Sequence, residues 1–340
     1  MESRTRKPAT TSPEYITDMA ILADLGGTHA RLAIWDGKSF SQPEKRMADE
    51  HTTFEGALAD YCARQGVKAG GLLLVATAAQ RGGDGTWRFI NNNQWAVSKA
   101  GLARAGWDAR AIVNDFVGSA RGAVTLAPGR GLVTLRDGTT DNESRRVVMG
   151  PGTGLGLAFM TPLPHMRWLV QETMGGHMLA ACLTDEQFAV TRLVSKQNDR
   201  AVSFEDVCSG RGLPVLYRAV CMQDGIVPVH TDARGLLDNP EEAPVKKTWR
   251  LFHEFLGLFA HHAIITGQGY GSVYFDGGVA QRLYGNNMLD FATIAKFMDV
   301  PTVGIVRQRV AETPVWLVND PYVALHGLGA MAAEIEKDAA

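Results

Sequence analysis

Short apolar runs recur along the chain, and most of them stop at a glycine pair or at a polar turn. Ala20–Ala23 predicts a buried strand and Leu32–Trp35 a second one, with Gly26-Gly27 between them, so the pair reads as a tight hairpin. A third strand is expected around Phe40. Apolar positions at Phe54, Leu58, Tyr61 and Cys62 predict a helix over 53–65 that ends at Gly66. Leu72–Ala76 predicts a buried strand, Gly82–Gly85 a hairpin turn, and Ala111–Val113 a strand closed by Asn114-Asp115, after which Phe116–Gly122 starts a helix of small residues. The glycine-rich polar stretch 126–142 reads as a connection between two lobes. Val147–Met149 and Leu157–Met160 predict a second hairpin around Gly150–Gly156. Ser203–Asp206 opens a helix, with Asp206 in the capping-box position. Trp249–Ile265 is apolar on most sides and predicts a central helix. Ser272–Asp276 is a strand running into Gly277-Gly278, Val315–Val318 is the last strand, and a final helix runs from Pro321 to about Glu336.

The glycine hairpins are where chemistry is expected. A glycine turn brings backbone N–H groups close to an anion, and phosphate is the usual one. Gly26-Gly27 is read as supplying backbone angles that other residues avoid. Asp24 at the entrance of the first hairpin would be repelled by a phosphate unless a divalent cation, Mg²⁺, lay between them; the alternative is a plain hairpin whose Asp bonds its own turn. The second hairpin repeats the plan of strand, glycine loop with a threonine, strand. Neither loop fits Walker A or G-x-G-x-x-G, which weighs against a P-loop NTPase and a dinucleotide-binding dehydrogenase.

Asn114-Asp115 lies at the C-terminal end of a strand, where open α/β sheets place ligands. Asp115 there can accept the proton of a substrate hydroxyl as a phosphoryl group arrives; alternatively Asn114 or Asp115 only caps the helix. His177 follows Gly175-Gly176 on a tight turn, either as a ligand-facing group or as a structural one. The polar loop Asn91–Trp95 reads as a surface link or as a ligand-facing segment. His253, His261 and His262 lack metal-ligand spacing and read as packing or surface residues.

The 340 residues suffice for two domains, and 45% apolar with 21% charged is the composition of a globular protein. A net charge of −2, from 34 basic and 36 acidic side chains, gives no reason to expect nucleic acid or membrane as a partner. Four scattered cysteines without C-x-x-C spacing point to a reduced, cytoplasmic protein. Residues 1–18 are polar, lack the apolar core of a signal peptide, and read as a disordered tail.

Taken together and in order, Asp24–Arg31, Val113–Phe116, Gly150–Gly156 and Gly175–His177, with the weaker Glu205 before Ser209-Gly210 and Phe275–Val279, resemble the bacterial glucokinase family of the hexokinase–actin superfamily. The resemblance implies an α/β, two-lobed, actin-like (ribonuclease H-like) ATPase fold with a central cleft. It implies a small domain of residues 19–125 plus 319–340 and a large domain of 126–318. It also implies ATP and Mg²⁺ as cofactors and a small-molecule sugar as partner, and it leaves a homodimer open. By the same resemblance Asp24, Leu25, Gly26, Gly27, Thr28, Gly152, Thr153, Gly154, Gly277 and Gly278 bind the nucleotide, with Asp24 meeting Mg²⁺ through the phosphates. Asp115 is the base for the sugar 6-hydroxyl, and Asn114, His177 and Glu205 bind other hydroxyls. One departure stands out: Met174 occupies the position before Gly-Gly-His where the family carries a sugar-binding glutamate. Glucose is the first expectation for substrate; a different sugar or sugar acid, or a sugar-binding regulator without turnover, is the alternative.

Overall fold

The computed structural model describes residues 19–89, 94–300 and 303–339. The described residues divide into two compact units, with borders between 113 and 114 and between 330 and 331. The borders expected from sequence, 125/126 and 318/319, lie inside the second unit.

The first unit is built on a five-stranded sheet of order β3-β2-β1-β4-β8. Its strands are β1 (Ala20–Leu25), β2 (His29–Trp35), β3 (Phe40–Met47), β4 (Gly71–Thr77) and β8 (Trp107–Asn114). β1 and β2 pair antiparallel with Asp24 opposite Arg31, and β1 and β4 pair parallel. Helix α1 (Phe54–Gln65) starts where Thr53 accepts the Gly56 N–H and stops at Gly66, whose φ of 67° is the left-handed cap that glycine supplies cheaply. Its apolar face, Phe54, Leu58 and Tyr61, buries into the same core as Leu25 and Trp107. Short strands β5 (Gln80–Arg81), β6 (Trp87–Arg88) and β7 (Ala96–Val97) form a small sheet, and α2 (Lys99–Arg104) precedes β8. Trp95 is buried against Phe54, and its indole N–H donates to the His51 carbonyl at 2.8 Å, so its ring serves the core. Asn91–Asn93 of that polar loop lie outside the described residues.

The second unit begins with α3 (Asp115–Ala123) and holds a seven-stranded sheet of order β13-β12-β11-β14-β15-β10-β9. Those strands are β9 (Ala127–Pro128), β10 (Gly131–Arg136), β11 (Arg146–Pro151), β12 (Leu155–Leu163), β13 (Arg167–Glu172), β14 (Ser272–Phe275) and β15 (Val315–Val318). The stretch expected to be a polar connection, 126–142, is thus partly sheet: Gly131–Arg136 is β10, which pairs antiparallel with β15, and Arg136 donates to Asp299 and to the Thr313 and Val310 carbonyls. Its glycines and charges concealed a strand that lies between β15 and the short edge strand β9.

Helices α4 (Asp185–Asn198), α5 (Glu205–Cys208), α6 (Gly212–Asp224), α7 (Ala233–Asp238) and α8 (Ala243–Gly267) follow β13. The chain closes with α9 (Gly278–Gly285), α10 (Phe291–Met298), α11 (Gly304–Glu312) and α12 (Val323–Ala339). α8 is the central helix that its apolar sequence predicts, with Phe252, Phe255 and Phe259 fully buried. Val147 and Met149 of β11 face this core, while Val148 faces the opposite one, shared with Ala120 of α3 and Val323 of α12. A strand buried on both faces reads as a continuous apolar run, which is why β11 was legible. The small residues of α3 have a packing reason: a Cβ on Gly122 would overlap the Val323 carbonyl, and one on Gly327 of α12 the Gly118 carbonyl.

Candidate active site

The second glycine hairpin is the hub of the second unit's predicted residues. Gly152 N–H donates to the Gly154 carbonyl at 2.9 Å, closing the turn between β11 and β12. Four other stretches meet it. A Cβ on Gly156 would overlap the Phe116 ring, so the residue after Asp115 seats α3 on the hairpin. A Cβ on Gly176 would overlap the Leu155 carbonyl, which brings the Gly175–His177 turn against the start of β12. Gly210 N–H donates to Gly152 O at 2.9 Å and Arg211 N–H to Thr153 O at 3.2 Å. Finally, a Cβ on Gly277, whose φ of 124° already favours glycine, would lie 2.6 Å from the Pro151 carbonyl. Asn114-Asp115, Gly152–Gly154, His177, Glu205 and Gly277-Gly278 are therefore joined by packing around one loop, although they are spread over residues 114–278 of the sequence.

The Asn114 side chain caps α3: its Oδ1 accepts the Phe116 N–H at 3.0 Å, and Asp115 Oδ1 accepts the same N–H at 2.9 Å. Both groups of the expected cap are real, and the Asp115 carboxylate stands at a helix N-terminus, which favours its charged form. Glu205 Oε2 accepts the Leu155 N–H at 2.9 Å and Oε1 accepts from Arg211 at 2.8 Å. His177 is exposed on its 3₁₀ turn, with its N–H donating to the Met174 carbonyl at 2.9 Å. Met174 is 61% exposed, and Glu172, at the end of β13, is exposed as well.

The capping box expected at Ser203 is only half formed. Asp206 Oδ2 accepts the Ser203 N–H at 2.8 Å, but the Ser203 hydroxyl also donates to Asp206, at 2.7 Å, instead of receiving a helix N–H. Arg200 adds two bonds. Although burial works the other way, these bonds hold the Asp206 carboxyl below the usual carboxylate range.

Asp24, Leu25, Gly26, Gly27 and Thr28 belong to the first unit. Gly26 N–H donates to the His29 carbonyl at 2.8 Å, and a Cβ on Gly26 would sit 3.1 Å from the same oxygen. Neither Gly26 nor Gly27 has positive φ. The expectation of unusual backbone angles is corrected: close approach, not φ, is what asks for glycine at 26. Asp24 is 8% exposed and pairs with Arg31 Nη1 through Oδ2 at 2.8 Å. Burial pushes its carboxyl above the ordinary range, and Arg31 opposes that only in part.

Sequence reasoning missed three participants. Arg211, the partner of Glu205, stands between two glycines with no pattern to flag it. Buried Asp276 accepts the Gly277 N–H at 2.8 Å; its strand-end place before Gly-Gly was the available signal. Gln281, just after that turn, donates to the Val318 carbonyl at 3.1 Å. The three α8 histidines are packing groups, each bonded to a backbone carbonyl. Among the described residues no group of three or more His, Cys, Asp or Glu could hold a metal, and no helix is long and apolar enough to cross a membrane.

A family model described as Glucokinase matches residues 21–335. A glucokinase of Pseudomonas paraeruginosa (strain DSM 24068 / PA7) is 32% identical over 315 residues, spanning 92% of this chain and 91% of the relative. A crystal structure of glucokinase from an Antarctic psychrotroph has a TM-score of 0.79 at 24% identity, covering 93% of this chain and 99% of that one. The glucokinase of Balamuthia mandrillaris in complex with glucose has a TM-score of 0.73 at 21% identity, covering 92% and 93%. These likenesses assign the α/β architecture to the two-lobed, actin-like ATPase fold.

Proposed function

Since the chain belongs to the glucokinase family, we propose that it transfers the γ-phosphoryl group of ATP to a hexose, with D-glucose to glucose 6-phosphate as the first choice. The observation that carries this reading is the seating of Phe116 on Gly156, which makes the candidate base and the candidate phosphate hairpin one packed body. Asp115 accepts the proton of the 6-hydroxyl while that oxygen attacks the γ-phosphorus and ADP leaves. Asn114, His177 and Glu205 accept or donate to the other hydroxyls and hold the sugar in line for attack, which is where most of the rate is expected to arise. In this reading Gly152–Gly154 binds the phosphates, as does the Asp24–Thr28 turn of the first unit, and Gly277-Gly278 binds the nucleoside.

The residues fit a phosphate-bound Mg²⁺. Among the described residues Arg31 is the partner of Asp24, through Oδ2, which leaves Oδ1 to hold a water of the cation's shell. Bound there, Mg²⁺ would neutralise charge on the transferring phosphates.

A second reading, a kinase for another sugar or a sugar acid, is favoured by Met174, an exposed thioether where a charged acceptor is expected. A coupled ADP-release assay over a panel of hexoses and sugar acids separates the two. Glucose is expected to give the highest kcat/KM. No release above background with any hexose would overturn the hexose-kinase reading, and none with a sugar acid either would overturn the kinase reading as a whole.

A further inference from the structure

The Glu205 carboxylate is held at both oxygens by groups that lead back to the glycine hairpin. Oε2 takes the Leu155 N–H, and Oε1 takes Arg211 Nη2 at 2.8 Å. Arg211 is tied to the hairpin a second time by its main chain, through its N–H to the Thr153 carbonyl. These bonds close a ring through Thr153, Arg211, Glu205 and Leu155. The ring is tight: a Cβ on Gly154 would stand 2.7 Å from Glu205 Oε2. Yet the Arg211 side chain is 58% exposed and lies along a cavity of about 420 Å³ lined also by Asn198, Arg200 and Ser209. Packing therefore does not press the guanidinium onto Glu205; the charge-assisted hydrogen bond does. The backbone under Glu205 is anchored separately, by the bonds of Asp206 to Ser203 and Arg200. What Arg211 controls is the carboxylate of Glu205, not the fold of α5.

We propose that Arg211 is a positioning residue that orients the Glu205 carboxylate for the sugar and locks it to the phosphate hairpin. The inference rests on the reading of Glu205 as a hydroxyl acceptor. A carboxylate has about four lone-pair sites, so roughly two remain for sugar hydroxyls once Leu155 and Arg211 are served. With Met174 in place of an acidic neighbour, charged acceptance falls on Glu205, and its orientation counts for more.

The test is steady-state kinetics on the best hexose of the panel for the full chain and for Arg211→Ala, Arg211→Gln, Arg211→Lys, Glu205→Gln and the double variant Glu205→Gln with Arg211→Ala. Arg211→Ala and Arg211→Gln are expected to raise the hexose KM by about 10-fold, the loss of one charge-assisted bond, with kcat within about threefold. Arg211→Lys should recover most of that loss. Because Arg211 acts through Glu205, the double variant should be no worse than Glu205→Gln. Additive losses, a KM shift below about twofold in both Arg211→Ala and Arg211→Gln, or no recovery with lysine would overturn the proposal. If the parent phosphorylates hexose and the Arg211 variants match it, only this inference falls. If the parent phosphorylates no hexose, the hexose-kinase reading falls and takes the inference with it.

Discussion

Asp115 carries two duties in one carboxylate, and a single substitution separates them. Its Oδ1 shares the Phe116 N–H with Asn114, so Asp115→Asn keeps an acceptor at the helix start while removing the base. That variant is expected to lose about 10²–10⁴ in kcat with nucleotide affinity unchanged, as read by ADP release and calorimetry. More than half of the turnover surviving would reduce Asp115 to a cap. At Asp24, ATP should bind more tightly with Mg²⁺ than in EDTA, and Asp24→Ala should erase the difference; equal affinities in the parent would remove the metal assignment. Met174 is a different case, since it is exposed and a glutamate there would not be desolvated before sugar arrives. Met174→Glu should lower the glucose KM by about one to two decades, the worth of a hydrogen bond to a charged acceptor. A fall in kcat/KM on another sugar, with glucose poor in both proteins, would point to a rebuilt pocket instead.

At the scale of elements, the contact between α3 and the hairpin should govern turnover more than stability. Gly156→Ala forces a methyl into the Phe116 ring and displaces the helix that bears Asp115. A misplacement of about an ångström can cost roughly 10²-fold in rate, so kcat should fall by that order while the urea midpoint moves modestly. Adding Phe116→Leu should restore part of the rate by making room. If Gly156→Ala turns over normally, α3 and the hairpin are not one catalytic body. The elements themselves differ in how readable they were. α1 announces both ends, Thr53 and Gly66, because a cap is a local event among four residues. β10 does not: what makes Gly131–Arg136 a strand is its pairing with β15, nearly two hundred positions later.

For the whole molecule, pH is the global probe. His253 is 2% exposed, and its Nδ1–H donates to the Trp249 carbonyl while Nε2 accepts the Asp290 N–H. Protonation would break the second bond inside the core, and burial lowers this pKa, as it does for His29 and His261. With folded values below the unfolded value of about 6.5, the unfolded chain takes the protons first as pH falls. Stability should therefore be flat above about pH 7 and fall below about 6.5 until the folded histidines titrate. Urea unfolding from pH 8 to 5 checks this, and His253→Gln should flatten the slope; an unchanged slope would exclude His253 as a source. The depressed Asp206 acts lower, its contribution being lost as pH drops from about 3.9 through its folded pKa. By itself the sequence determined the two glycine hairpins, their flanking strands, the two ends of α1 and Asn114-Asp115 at a strand terminus. Each is a signal confined to a few neighbouring residues: an apolar run, a glycine, a capping side chain. Only the tertiary structure decided that Phe116 sits on Gly156, that Arg211 holds Glu205, and that Gly131–Arg136 belongs to the sheet. Those facts depend on residues that packing brings together across the chain, and no local pattern encodes a partner that distant.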